Sequence, residues 1–418
     1  MIKLPIKSEF GQNVIKLISG TAAAHITAFI LMPVLTRLYG KADLGYWQLF
    51  VSTITTLGVV ASLKYETAVV LPKEDKEADS VAALAFLATL LFVFVLTLML
   101  TLQGPRILKM LNAEALTPFR YFISLGVFLF ALVQLLQSIL IRKKLFGVLA
   151  FNKVIQIGSS QILAAALGFF FASFRTLLVT QVIGYALAAL VLVRLSRISV
   201  RPSLSDLFAL IKKYRKFPTV NTGTFFLNTL SLQLPIFMIS RYFGSEQVAL
   251  YSMANQMMSV PLFMIGSSVH QVYYQRATEA AHQGKVQLMA VYKNTVKKLS
   301  LFAVLPVGFF LLLGPQVAKF YFGPTYGETG VYMQIITFWM FFQFVNSPIS
   351  ATFTIIDRQE IGFVLVAVSI VFRFAMMYLF RENARTMIIA LSLSAGLFYL
   401  FYNLSIYYFI RKMKDEHV

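Results

Sequence analysis

The chain has 418 residues, 58% of them hydrophobic and 15% aromatic, with 37 Lys and Arg against 17 Asp and Glu. Soluble domains are about 45–50% apolar, so much of this chain needs lipid around it rather than water. The net charge of +20 sits between apolar runs and leaves no wet face for a nucleic acid; the absence of cysteine excludes disulfides, thiolate nucleophiles and thiolate metal sites. The histidines, His25, His270, His282 and His417, are scattered, without metal-ligand spacing. No cleavable signal is expected, because the first apolar run lacks a small-residue cleavage site and further apolar runs follow at once.

A helix that crosses a membrane needs about 20 apolar residues. Twelve such spans are predicted, over residues 14–37, 44–66, 80–102, 119–141, 146–170, 174–194, 217–240, 247–273, 289–313, 329–354, 360–380 and 386–410. The spans 217–240 and 247–273 carry Asn228, Gln233, Asn255 and Gln256. Unpaired amides are costly in lipid, so these helices either face a cavity or hydrogen-bond to their neighbours. Pro33, Pro235, Pro261, Pro306 and Pro348 each remove a backbone donor and predict kinks or broken turns. The connector 195–216, with Leu204, Leu207, Phe208 and Leu210 among charged residues, predicts a short helix at the membrane surface. It divides the chain into an N-terminal lobe, 1–203, and a C-terminal lobe, 204–418.

Lys and Arg between the spans number 25 on the side of the N-terminus and 9 on the other. By the positive-inside rule both termini are expected in the cytoplasm. The halves also look duplicated. Arg37-Leu38-Tyr39-Gly40 is answered by Arg241-Tyr242-Phe243-Gly244, and Gly104-Pro105-Arg106-Ile107-Leu108-Lys109-Met110 by Gly314-Pro315-Gln316-Val317-Ala318-Lys319-Phe320. Two echoes in the same order indicate an internal repeat. Six helices per half keep both copies in one orientation, so the expected fold is an all-α integral membrane protein with 12 transmembrane helices in two six-helix lobes related by a pseudo-two-fold axis along the membrane normal. Arg37 and Arg241 then mark an outer corner or gate of each lobe, and Gly40 and Gly244 are expected in tight turns.

The chain has no Gly-x-Ser-x-Gly elbow, phosphate-binding nucleotide loop or His-Glu-x-x-His helix, which points away from an enzyme and gives no reason to expect a cofactor. It does have cations inside the spans: Lys153 about two turns into its helix and Arg373 in the middle of another, with Arg120 and Arg276 nearer the span ends. A buried cation needs a partner or water, and acids are nearly absent from the spans, so an anionic substrate is one partner for these four. Arginine suits phosphate because its planar fork makes two charge-assisted bonds; the plainer alternative is snorkelling to the interface. Glu66 is the carboxylate placed within a span. Lys64, two residues earlier, does not face it on one helix side, so Glu66 either pairs with a cation from another helix or titrates as a coupling site, and Lys64-Tyr65-Glu66 sits at the expected cytoplasmic mouth as a candidate inner gate. His25, beside Thr21 and Thr27, either titrates near neutral pH or makes an interhelical hydrogen bond.

The ordered segments MPVLTRLYGKADLGYWQLF, LKYETAVVLPKEDKEA, FRTLLVTQVIG, QLPIFMISRYFGSEQVALYSMANQMMSVPLFMIGSSVHQVYYQRATEA and VAKFYFGPTYGETGVYMQIITFW, followed by NSPIS, resemble bacterial polysaccharide biosynthesis proteins of the oligosaccharide flippase type, in the multidrug/oligosaccharidyl-lipid/polysaccharide exporter superfamily. The resemblance runs from about residue 10 to about residue 405. It implies two lobes in a V, alternating access, a cationic central cavity, and a location in the bacterial cytoplasmic membrane. The implied cargo is an undecaprenyl-pyrophosphate-linked oligosaccharide, such as an O-antigen precursor of lipopolysaccharide, moved from the inner to the outer leaflet. The implied partners are that lipid-linked oligosaccharide, membrane lipids, and the glycan polymerase and glycosyltransferases of the same pathway. Two alternatives stay open: a cation-coupled multidrug extruder, for which the first helix offers His25, Thr21 and Thr27 but no acid, and a structural subunit of a polysaccharide assembly complex.

Overall fold

The computed structural model describes residues 9–196 and 204–413. Lys3, Lys7, Arg197, Arg201 and Lys414 of the charge count, and the expected lobe junction at residue 203, lie outside the described residues. Every regular element among the described residues is helical: α1 Glu9–Leu38, α2 Lys41–Gly58, α3 Tyr65–Ala68, α4 Asp75–Met110, α5 Arg120–Arg142, α6 Phe146–Gly168, α7 Phe174–Ser196, α8 Leu204–Lys213, α9 Thr222–His282, α10 Lys285–Phe322, α11 Gly327–Ile349, α12 Thr352–Ile355, α13 Gln359–Leu379 and α14 Ala384–Lys412. The fold is all-α and multi-pass, and each of the twelve predicted spans falls on one of the long helices, with α9 carrying two. The duplicated Gly-Pro segments occupy matching places. Each lies late in a long helix, α4 or α10, that passes through a 3-10 turn, Glu114–Phe119 or Pro324–Tyr326, into the next helix.

Among the described residues, eight stretches are long and apolar enough by composition to cross a membrane, and α2, α6 and α11 fall outside that set. Their polar residues account for this. Ser52 and Thr56 of α2, Asn152, Gln156, Ser160 and Gln161 of α6, and Thr329, Thr337 and Asn346 of α11 are all buried, turned toward other helices and away from lipid. α10 shows the opposite face, with Leu301, Leu305 and Leu312 exposed by 74, 80 and 77%. A stripe of that size has hydrocarbon as its natural solvent.

The structure corrects the span 44–66. α2 stops at Gly58, whose bare Cα takes the Phe130 ring; a Cβ there would lie 2.5 Å from Phe130 Cδ1. The chain then turns, with Leu63 (φ 51°) and Lys64 (φ 59°) both left-handed, before α3 begins. The break lets Lys64 and Glu66 meet, which the i, i+2 spacing of a continuous helix would prevent. The helical backbone is unbroken at the prolines of these spans. The helices run on through Pro33, Pro235, Pro261, Pro306 and Pro348, and the non-helical residue of α9 is Gly244 (φ 78°, ψ −176°). A proline forfeits one hydrogen bond that neighbouring helices and local adjustment make good, whereas the Gly244 conformation is closed to residues with a Cβ.

By packing, the chain forms two compact units, Met1–Ala249 and Leu250–Val418. In the first, Val81, Ala85, Leu136, Leu140, Ala188 and Leu192 build a core into which α8 inserts Leu207 and Leu210. The connector helix is therefore anchored as well as amphipathic: Lys213 Nζ lies 2.5 Å from Glu77 Oε1, and the Tyr214 hydroxyl donates to the same oxygen at 2.8 Å. The hydrogen bond to Glu77 holds the Lys213 ammonium above its ordinary pKa, and burial pushes the Tyr214 phenol up. α1 and α6 pack so closely that a Cβ on Gly20 would fall 2.4 Å from Ala150 Cβ. In the second unit, Tyr273, Ala277, Leu288, Ile349, Phe353 and Ile406 form the core. Its polar ties are buried: the Tyr273 and Thr352 hydroxyls are 2.6 Å apart, and the Tyr292 hydroxyl donates to the Asn403 carbonyl at 2.8 Å.

Candidate functional site

Three polar groups of the first unit converge. On α5, Gln134, Gln137, Ser138 and Ile141 stand at i, i+3, i+4 and i+7, one face of a helix. On α6, Lys153 and Gln156 are one turn apart, and the break after α2 delivers Lys64, Glu66 and Thr67. Together with Phe130 and Val133 these residues line a cavity of about 320 Å³. Three sequence-nominated residues, Lys153, Lys64 and Glu66, thus share one site.

Lys64 Nζ lies 2.7 Å from Glu66 Oε1, with the two side chains 4 and 2% exposed. The Ser62 hydroxyl donates to the other Glu66 oxygen, and the Lys64 ammonium stands 4.1 Å from the centre of the Phe225 ring. This overturns the expectation that Lys64 and Glu66 cannot meet. That expectation assumed helical spacing, and the left-handed Leu63 and Lys64 abolish it. Glu66 is paired with its near neighbour in sequence, not with a cation from a distant helix.

Lys153 Nζ donates to Gln156 Oε1 at 3.3 Å, and among the described residues it makes no ion pair. The buried amide nitrogen of Gln137 has no hydrogen-bond partner there. His25 of α1 is half-buried and within electrostatic reach of Lys153. The cavity therefore offers one cation already neutralised, one cation held only by an amide, and several amides and hydroxyls. Such a set can take an anion together with neutral hydroxyl groups.

The other nominated residues lie elsewhere. Arg373, on α13 of the second unit, is 4% exposed, with its guanidinium 5.3 and 5.6 Å from the ring centres of Phe398 and Tyr399. Arg120 is tied locally, donating to the Thr117 carbonyl at 3.2 Å and the Tyr121 hydroxyl at 3.1 Å. Arg276 lines a different cavity, in the second unit. Arg37 and Arg241 are both exposed; Arg37 donates to the Pro33 carbonyl at 2.8 Å and Arg241 to the Met110 carbonyl at 3.4 Å. The two corner glycines differ. Gly244 needs its left-handed φ of 78°, but Gly40 has φ −65° and ψ 154°, extended backbone open to any residue, so the turn argument fails at Gly40. The corners meet through another glycine: a Cβ on Gly45 would fall 1.8 Å from the Ser245 carbonyl oxygen.

Sequence reasoning passed over Gln134, Gln137, Ser138 and Gln156. Their signal is present as polar residues at helical spacing inside otherwise apolar α5 and α6. It also passed over Arg142, which donates to the Pro72 carbonyl at 2.6 Å and to Asp75 at 2.8 Å, fastening the loop between α3 and α4.

A family profile described as polysaccharide biosynthesis protein matches residues 34–330. The fold is similar to that of the lipid II flippase MurJ in an inward closed conformation, with a TM-score of 0.77, 14% identity, and coverage of 96% of this chain and 94% of that one. It is also similar to an inward-facing multidrug resistance MATE family transporter of the MOP superfamily, with a TM-score of 0.72, 15% identity, and coverage of 94% of each chain. An outward-facing structure of such a transporter gives a TM-score of 0.62 at 14% identity, covering 96% of this chain and 95% of that one. No curated protein sequence matches the chain.

Proposed function

Because the chain belongs to the polysaccharide biosynthesis protein family and folds as membrane transporters do, we propose that it is a flippase for a lipid-linked anionic glycan. It moves an undecaprenyl-pyrophosphate-linked oligosaccharide from the inner to the outer leaflet of the bacterial cytoplasmic membrane by alternating access between lobes 1–203 and 204–418. The observation that carries this reading is the first-unit cavity, where Lys153 stands among amides and, among the described residues, has no carboxylate partner. A phosphate supplies the missing negative charge, and Gln134, Gln137 and Ser138 offer hydrogen bonds of the kind sugar hydroxyls use. At 1.5 Å per residue Lys153 sits about 10 Å along α6, deep enough that a bound anion has left the headgroups.

In this reading both termini are cytoplasmic, as the charge count supports, and the Lys64–Glu66 pair stands at the inner mouth. An arriving pyrophosphate competes with Glu66 for Lys64, so the pair acts as an exchangeable inner gate. Arg373 is a second cargo cation, presented on aromatic faces that suit sugar rings. Arg120, held by Thr117 and Tyr121, contributes to the outer end of α5, and Arg37 and Arg241 fix the outer corners. The polymerase and glycosyltransferases that extend and supply the glycan are the pathway partners.

The test is the leaflet distribution of the labelled lipid-linked repeat unit in a bacterial strain from which the gene is deleted. The unit should accumulate in the inner leaflet; the wild-type gene and Lys153→Arg should restore export, and Lys153→Met should not. Unchanged export in the deletion strain overturns the flippase. Full rescue by Lys153→Met removes the cavity from the mechanism and favours a structural role. Ion-dependent drug efflux from vesicles without glycan export favours the multidrug reading.

A further inference from the structure

α9 and α10 run to and from a turn at Gly284, and a second cavity of about 450 Å³ lies between them in the second unit. Its lining changes along its length. At 1.5 Å per residue measured from Gly284, Arg276 and Lys298 stand about 12 and 21 Å away, and Val269 and Phe302 about 22 and 27 Å away. The stretch from Arg276 to Lys298 is thus cationic, with Tyr273 and Asn294 between the charges, and beyond Lys298 the lining turns apolar, with Ile265, Val269, Leu299, Phe302 and Phe344 of α11. Among the described residues no carboxylate lines the cavity, and neither Arg276 nor Lys298 has an ion-pair or hydrogen-bond partner. Val272 and Phe302 are exposed by 41 and 53%, so the groove is open at its side.

We propose that this groove is a binding site for an anionic phospholipid of the surrounding membrane. The headgroup phosphate lies between Arg276 and Lys298, and the proximal chain lies against Val269, Val272 and Phe302. Arginine forks onto phosphate oxygens, and an apolar far end has no use for a free inorganic anion. The groove lacks the row of glutamines that suits the first-unit cavity to a glycan, so a simple phospholipid is the better complement. This reassigns Arg276 from cargo binding to lipid binding and holds whether or not the flippase reading does.

The experiment is native mass spectrometry of the purified full-length protein, released from micelles carrying phosphatidylglycerol or phosphatidylcholine. Phosphatidylglycerol should be retained in preference to phosphatidylcholine. A double variant, Arg276→Gln with Lys298→Gln, should lose that preference by about fivefold per cation removed. Lys293→Gln with Lys297→Gln, on the same helix but outside the groove, should not. Phe302→Gln should weaken retention with all charges intact, and soluble glycerol phosphate at equal concentration should fail to displace the lipid. Equal retention of the two lipids, or an unchanged preference in the Arg276/Lys298 variant, overturns the site and leaves two cations that merely reach the interface. Displacement by glycerol phosphate, or no effect of Phe302→Gln, overturns the lipid assignment in favour of a bare phosphate site. Circular dichroism of each variant separates loss of binding from loss of fold.

Discussion

Removing one partner of the Lys64–Glu66 pair should cost far more than removing both. At 2.7 Å and an effective dielectric of about 20, the attraction is ~6 kcal/mol. Stripping water from each ion costs several kcal/mol, so the net contribution of the intact pair is near zero. A lone survivor keeps its desolvation cost and loses its attraction. Glu66→Ala strands the Lys64 ammonium at the break and frees the Ser62 hydroxyl; Lys64→Ala strands the carboxylate. Each should destabilise the protein by about 3–5 kcal/mol, whereas Lys64→Met combined with Glu66→Met should fall within about 1–2 kcal/mol of wild type. The backbone adds a second signature. Because Lys64 has φ 59°, which costs a residue with a Cβ about 1–2 kcal/mol, Lys64→Gly should be milder than Lys64→Ala by about that amount. SDS titration of the protein in lipid–detergent micelles, followed by circular dichroism, gives the four free energies. The reasoning fails if both single variants lie within about 1 kcal/mol of wild type, or if the double variant loses the sum of the two.

The two corner glycines should separate cleanly. Gly244→Ala has room, its nearest neighbour being Asn112 Nδ2 at 3.5 Å, yet should cost about 1–3 kcal/mol from backbone conformation alone; Gly40→Ala should be near neutral in the same titration, since Asp43 Oδ2 at 3.2 Å can move aside. Gly45→Ala should destabilise by at least about 2 kcal/mol through overpacking. Ser245→Gly should not rescue it in a thermal melt, because the clash is with the Ser245 backbone oxygen and not with its side chain.

What the sequence revealed and what it hid follow from where each cause resides. The long helices were legible because lipid sorts side chains by composition, as along Leu301, Leu305 and Leu312. Lys153 and Arg373 were legible by depth alone, since a cation far into an apolar run stands out whatever surrounds it. Their surroundings were not legible. Lys153 has one amide, Gln156, on its own helix but owes Gln134 and Gln137 to α5, and Arg373 owes its aromatic faces to α14, so neither environment can be read from its own helix alone. The break after Gly58 was hidden for a related reason: Val59-Val60-Ala61-Ser62-Leu63 carries no proline or glycine, and two left-handed residues become favourable only through the partners that Lys64 and Glu66 find there. Treating those two as residues of one helix then applied a spacing rule where no helix exists. The glutamines of α5 give the converse lesson. In a soluble helix a polar stripe marks the solvent side, but in a lipid-facing helix the same stripe marks the interior. Gln134, Gln137 and Ser138 at i, i+3 and i+4 were therefore a sign of an inner wall that went unread, and the structure places them in the lining of one cavity with Lys153 and Gln156, one turn apart on α6.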